Sequence, residues 1–357
     1  MNPILKYVRD FLASRRVVGR DVQLSGKVGA DHLLQQLIDD KKVPGLAISV
    51  RKNNQVFFQK GYGFSNVERQ TPINPEETIF RIASVSKPIA ATALAVMVAE
   101  GQLDLDASFY QYVPYYPKKE YDFTIRQLAS HTAGIRGYKG VEYGLNLPMG
   151  IKESLKIFKD DPLVFKPGTQ YLYTSFAWVL ISLAIEEISG VPFADYVQIK
   201  VLKPFGLKNT VPEIPEEAIA NMSSFYSRSR SGFRAAIPVD NRYKLAGGGY
   251  LSTAVDIANF GQAFLDSSSE VVPDMSQFLT STVIEGGATY YGLGWQVSED
   301  KLNRPYFGHV GNGVGGYAVF YVYPEEDMVF SILTNSTNPR IQETLEEVVS
   351  MLIGGRS

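Results

Sequence analysis

The sequence predicts an α/β (α+β) fold, in which one antiparallel sheet is completed by strands from both chain ends, flanked by helices and interrupted by a mainly helical insertion. Three observations carry this expectation. Strand-like stretches occur early in the chain and return only beyond about Thr289. The stretch between them, from Ser84 to about Phe264, has helical spacing broken by Pro- and Gly-containing loops. Of the 357 residues, 45% are apolar and 20% charged, which is ordinary globular usage and leaves enough chain to bury a large core.

Taken in order, "MNPILKYVRDFLASRR" puts Ile4, Leu5, Val8, Phe11 and Leu12 on one helical face. Lys6, Arg9 and Asp10 break the apolar core that a signal peptide needs, so a short packed helix or a precursor remnant is expected. The chain as written reads as cytoplasmic, or as exported or organellar if a leader has been removed. No stretch approaches the roughly 20 apolar residues of a membrane span, and no membrane association is expected. "HLLQQLIDDKK" has helical periodicity, and "GLAISVRKNNQVFFQKGYG" reads as two strands joined at Asn53-Asn54. Helices are expected in "PIAATALAVMVAEG", "TIRQLASHTAG", "SFAWVLISLAIEEISG" and "TAVDIANFGQAFL". Strands follow in "YYGLGWQVSE", "RPYFGHVG", "YAVFYVYP" and "MVFSILTN", the last two joined at Glu325-Glu326-Asp327, before a closing helix "IQETLEEVVSMLIGG". Residues 1–80 with 285–357 are thus expected to form a discontinuous sheet domain and 81–284 a helical one, with the site in the cleft between them.

Composition excludes several function classes. Lys and Arg number 35 against 37 Asp and Glu, scattered along the chain, which gives nucleic acid nothing to bind. The absence of cysteine removes disulfides, thiolate metal sites and thiol nucleophiles. His32, His131 and His309 are the only histidines and no two stand at metal-ligand spacing, so neither metal nor cofactor is expected.

The chemistry concentrates at "FRIASVSKPIAAT". Pro88 fits only the first turn of a helix, which sets the helix start near Ser84. Ser84 then lies beside unpaired backbone N–H groups at the positive end of the helix dipole. Lys87, three residues on, shares its face, and the apolar helix behind it favours a neutral amine able to activate the serine. Ser86 faces elsewhere and is expected to help cap the helix. A second Ser-x-x-Lys, Ser298 to Lys301, lies in a polar stretch and reads as an exposed loop. Two further segments supply partners. Tyr173-Thr174-Ser175 opens an apolar helix, whereas the similar Tyr250-Leu251-Ser252 lacks that setting and reads as core or turn. His309-Val310-Gly311 ends a strand and runs into glycines that permit close approach to the backbone. His131 is expected to bond backbone in the turn after a helix.

In order and kind, these segments resemble the active-site elements of the serine β-lactamase and penicillin-binding-protein superfamily, in the branch of class C β-lactamases, related esterases and D-amino-acid peptidases. "VPGLAISV", "EGQLDLDASFYQYVP", "LASHTAGIR", "FKPGTQYLYTS", "AGGGYLSTAVDIANFG" and "YGLGW" extend the resemblance over roughly residues 30 to 350. It implies that Ser84 is the acylated nucleophile, Lys87 its base, and Tyr173 a proton shuttle. It implies that His309 orients Tyr173 and contacts substrate, and that the backbone N–H groups of Ser84 and Asn312 form the oxyanion hole. Ser175 and Gly311 would touch substrate.

The sequence also departs from that pattern. Ser175 stands where many relatives have asparagine, and His309 where they have the lysine of Lys-Thr-Gly, so efficient penicillin hydrolysis is not expected. No Gly-x-Ser-x-Gly elbow supports an α/β-hydrolase. The expectation is a serine hydrolase acting on a small-molecule or peptide substrate through its ester or amide bond. The alternative is a binding or scaffold protein, or a penicillin-binding sensor, on the same fold. Oligomeric state is not legible.

Overall fold

The computed structural model describes residues 24–354. The amphipathic segment at residues 4–12 lies outside them. Gly45–Lys52 (β1) and Gln55–Asn66 (β2) form a hairpin whose corner residues, Asn53 and Asn54, have φ of 49° and 57°. That is the positive-φ pair a tight two-residue turn requires, and asparagine tolerates it better than most residues. Thr71–Pro72 (β3) pairs with β2. The other chain end supplies Gln296–Glu299 (β4), Pro305–Gly313 (β5), Gly316–Tyr323 (β6) and Met328–Thr334 (β7). The seven strands lie in the order β4-β5-β6-β7-β1-β2-β3, and every pairing is antiparallel.

Strand periodicity sorts side chains between two cores. Leu46, Ile48, Val50, Val319, Phe330 and Ile332 point at the terminal helices, Gly26–Asp39 and Gln342–Ile353. Ala47, Ala318, Phe320, Val322, Val329 and Leu333 point at the inserted helices. Because both faces are covered, β6 and β7 are buried throughout and read as continuous apolar runs.

The insertion is less uniformly helical than its spacing suggests. Ser86–Ala99 and Ser175–Ser189 form as expected, the latter ending at Gly190 with φ 71°. The helix in "TIRQLASHTAG" covers only Ile125–Ala129, because His131 adopts φ 61° and turns the chain away. Short strands appear at Val211–Pro212, Tyr226–Ser229, Gly232–Ala235 and Tyr250–Ser252, where polar sequence gives no alternation to read. Tyr290 to Trp295, expected as strand, is loop and bend, and β4 begins only at Gln296. No single helix among the described residues is long and apolar enough to cross a membrane.

Candidate active site

The site is built around a backbone turn. Ala83–Val85 is a 3₁₀ turn that runs directly into the Ser86–Ala99 helix, in which Ser86 through Ala95 are buried. Ala83 has φ 46°, a left-handed conformation that costs a non-glycine residue about 1–3 kcal/mol and persists only where the surroundings impose it. β5 is one such support: a Cβ on Gly311 would sit 2.3 Å from the Ile82 carbonyl oxygen and 3.1 Å from the Ser84 nitrogen. Gly311 is therefore glycine so that the strand can press against the serine turn. Ser86 does not cap the helix. Its hydroxyl donates to the Ala83 carbonyl at 2.7 Å and accepts from the Tyr250 N–H at 3.1 Å, so it braces the turn from behind.

Ser84 Oγ lies 3.0 Å from Lys87 Nζ and accepts a hydrogen bond from the Tyr173 hydroxyl at 2.8 Å. Lys87 is fully buried, and its amine also donates to the Gly247 carbonyl at 2.6 Å. Burial first, and then the charge of Lys244, hold its pKa well below that of a free lysine. A neutral amine can accept the serine proton, and no acid stands nearby to keep it charged: among the described residues no carboxylate approaches Lys87 within 4 Å. Tyr173 is placed by the next residue, since Thr174 caps the Ser175–Ser189 helix by accepting from the Phe176 N–H and donates to the Arg136 carbonyl. Tyr173 keeps 38% exposure at the cleft, and desolvation of its hydroxyl is the main cause that raises the phenol, which therefore stays protonated beside Ser84.

His309 is buried and its pKa is pushed down to about 3, by desolvation first and Lys87 second, so the ring is neutral. Its hydrogen bonds run to Tyr291 and Val310 rather than directly to Tyr173. Nδ1 lies 2.7 Å from the Val310 carbonyl and so carries the ring proton, while Nε2 accepts from the Tyr291 hydroxyl at 3.0 Å. His309 makes no hydrogen bond to Tyr173; the ring centroids are 5.9 Å apart. Tyr291 packs against Tyr173 and against His131, whose Nδ1 accepts the Thr174 N–H, a backbone bond as expected. His131 also lies against Tyr173, with ring centroids 4.4 Å apart. The two histidines and Tyr291 thus form a buried aromatic bed for the phenol.

Beyond His309 the strand edge opens into the cleft. The Val310 N–H meets the Gln296 side chain, and Tyr143 donates to the Asn312 carbonyl at 3.2 Å. In an extended strand residues two apart face the same way, so the Asn312 N–H faces the cleft. Ser84, Ser175, Tyr143, Lys244 and Asn312 line one cavity, with roughly 450 Å³ free of protein atoms when its open mouth is included. Tyr250, by contrast, is buried at 1% exposure with its hydroxyl unpartnered, away from the reacting oxygen. Among the described residues no group of three His, Asp or Glu side chains could hold a metal ion.

Two residues of this site escape sequence reasoning. Tyr291 is one of two adjacent tyrosines in "YYGLGW", with nothing local to distinguish them. Lys244 is a single lysine before "LAGGGY", and only the folded structure reveals its burial at 8% exposure.

Comparison with known proteins agrees with this fold. The Beta-lactamase family model matches residues 30–349. The human serine beta-lactamase-like protein LACTB, mitochondrial, is 30% identical, over 86% of this chain and 74% of its own length. The octameric penicillin-binding protein homologue from Pyrococcus abyssi superposes with a TM-score of 0.79 at 25% identity, covering 92% of this chain and 77% of that one. EstCE1, a hydrolase with promiscuous acyltransferase activity, gives a TM-score of 0.77 at 18% identity, over 91% of this chain and 97% of that one, a likeness of fold. With its Ser84, Lys87 and Tyr173 gathered on that fold, the chain belongs to the Beta-lactamase family.

Proposed function

We propose that this protein is a serine hydrolase that cleaves an ester or amide bond through a covalent acyl-enzyme on Ser84, in the cleft between the sheet half (residues 1–80 and 285–357) and the inserted half (81–284). The observation that carries the reading is the position of Ser84 Oγ, between a buried amine at 3.0 Å and a phenol at 2.8 Å. As Oγ attacks the carbonyl, its proton passes to neutral Lys87 and the oxyanion forms against the N–H groups of Ser84 and Asn312. Tyr173 gives its proton to the departing oxygen or nitrogen and recovers one from Lys87 through the shared hydrogen bonds. Water then attacks the acyl carbonyl, and the same groups run in reverse. His309 and Tyr291 act behind Tyr173 as positioning residues. The hydrolase named among the fold neighbours supports an acyl-transfer reading, and the substrate is a small molecule or peptide. A neutral His309 in place of a lysine, and Ser175 in place of asparagine, argue against penicillin as the substrate.

The test is intact-protein mass after treatment with a fluorophosphonate and, separately, with a penicillin, on wild type and Ser84→Ala. Wild type is expected to gain one phosphonyl group and Ser84→Ala none. A penicillin adduct that persists for hours would make the protein a sensor, and folded wild type that takes neither reagent would make it a scaffold.

A further inference from the structure

Lys244 is a buried cation with a place in the cleft and no acid of its own. It closes the Arg242–Lys244 turn, immediately before the short Leu245–Gly248 helix whose Gly247 carbonyl holds Lys87. Among the described residues its amine makes one hydrogen bond, to the Tyr143 backbone carbonyl at 3.2 Å, which leaves two N–H donors for a ligand. The neighbouring acids are committed elsewhere. Glu213 is gripped by Arg81 at 2.5 and 2.8 Å and by Asn241 at 2.7 Å, and Asp240 by Arg242 at 2.8 Å. Among the described residues no carboxylate comes within 4.0 Å of the Lys244 ammonium. Glu213 and Asp240 favour its charge from a distance but are each neutralised by an arginine, so burying this ammonium without a directly bonded carboxylate is expensive. Burial pushes Lys244 down to about 8, which leaves it mostly charged at neutral pH.

We infer that Lys244 is the receptor for a carboxylate carried by the acyl group of the substrate, so that the hydrolase selects esters or amides whose acyl chain ends in a carboxylate close to the bond it cleaves. The inference rests on the serine-hydrolase reading. Lys244 shares the Ser84 cavity, with the rings of Tyr138 and Tyr143 beside its amine at 5.4 and 5.9 Å, so an entering carboxylate would replace water with a dry ion pair. Lys244 lies on a different element from His309, so its position is independent of the strand on which relatives carry a lysine.

The experiment compares 7-amino-4-methylcoumarin amides of succinic, glutaric and adipic acid with those of their monomethyl esters, on wild type, Lys244→Met and Lys244→Arg. The readout is the ratio of kcat/KM for each acid over its ester, because removing the Lys244 charge also relaxes the depression of Lys87 and moves both rates. Wild type is expected to prefer at least one acid by about 10- to 100-fold, mainly through KM. Lys244→Met should bring that ratio to about 1, and Lys244→Arg should keep part of it. A wild-type ratio near 1 for all three chain lengths, or a preference that survives in Lys244→Met, overturns the inference. Fluorophosphonate labelling of Ser84 separates the two readings: labelled enzyme without acid preference defeats only the Lys244 assignment. If Ser84 takes no label, calorimetry of the glutaryl amide decides, and wild type binding it no better than Lys244→Met rejects the site.

Discussion

In the proposed reaction Ser84 draws its reactivity from two neighbours that hold protons of opposite availability. Burial and the charge of Lys244 shift Lys87 towards the neutral amine, and Tyr173 keeps a proton that a solvated phenol surrenders more readily. Removing either should leave the serine in place but slow, so Lys87→Met and Tyr173→Phe are each expected to cut activated-ester hydrolysis by about two to four orders of magnitude. Lys87→Met should also raise the thermal midpoint, since a thioether fills the buried site without desolvating an amine; a lower midpoint would mean that the Gly247 bond outweighs burial. Ser298→Ala, on half-buried β4 rather than in the exposed loop its polar sequence suggests, should match wild type in both assays, and a comparable loss there would remove the significance of the Ser84 result. These residues were legible in sequence because their relations are local. Ser84 and Lys87 are three apart on one helix, and Tyr173 directly precedes a helix cap. Tyr291 and Lys244 were not, since what marks them is burial against distant segments. His309 was found, but its hydrogen-bond partner was not, because residue type does not say which way a ring faces.

At the level of elements, the site is the meeting of one strand edge with one turn. For the proposed oxyanion site β5 must approach the Ile82–Ser84 backbone closely enough for its amide to join that of Ser84, and two glycines allow this to different degrees. A Cβ on Gly311 would strike the Ile82 carbonyl at 2.3 Å, whereas one on Gly313 would meet only the Ala83 Cβ at 3.1 Å. Gly311→Ala should therefore reduce the rate of Ser84 phosphonylation by about 100-fold while unfolding stays cooperative, because an ångström of misplacement costs roughly that much. Gly313→Ala should lose less than about tenfold. The reverse ranking would mean that the strand edge is not part of the oxyanion site. The hairpin turns and the long apolar helices were readable because turn chemistry and periodicity report on themselves. The short strands between Val211 and Ser252 were not: two- to four-residue pairings are set by their partners, as when Tyr226 pairs with Ser336 from the far end of the chain.

Across the whole molecule, one cleft gathers Lys87, Lys244, His131 and His309, and burial depresses the pKa of all four. This couples the site to global stability with a definite sign. Below about 6.5, the unfolded chain takes up protons at both histidines, whereas folded His309 refuses one until about pH 3 and His131 is likewise held far below its normal range. A state that binds more protons gains as pH falls, so folding stability should decline on acidification, approaching about 1.4 kcal/mol per pH unit for each histidine once the pH is well below 6.5. Carboxylates held below their normal range, such as Asp161, add to the loss only near and below their own unfolded value of 3.8. The lysines extend the same slope upward: above its folded pKa each rejects a proton that the unfolded chain keeps up to 10.5. Urea unfolding between pH 7 and 5 should thus show a falling free energy, and His309→Gln, which cannot titrate there, should flatten the fall by about a third, because His131 and Lys87 go on contributing. A wild-type stability that is flat over this range would mean that the cleft admits water and protons in the folded state. The neutral Lys87 on which the proposed acylation depends would then lose its physical basis, so the unfolding experiment tests the chemistry without any substrate.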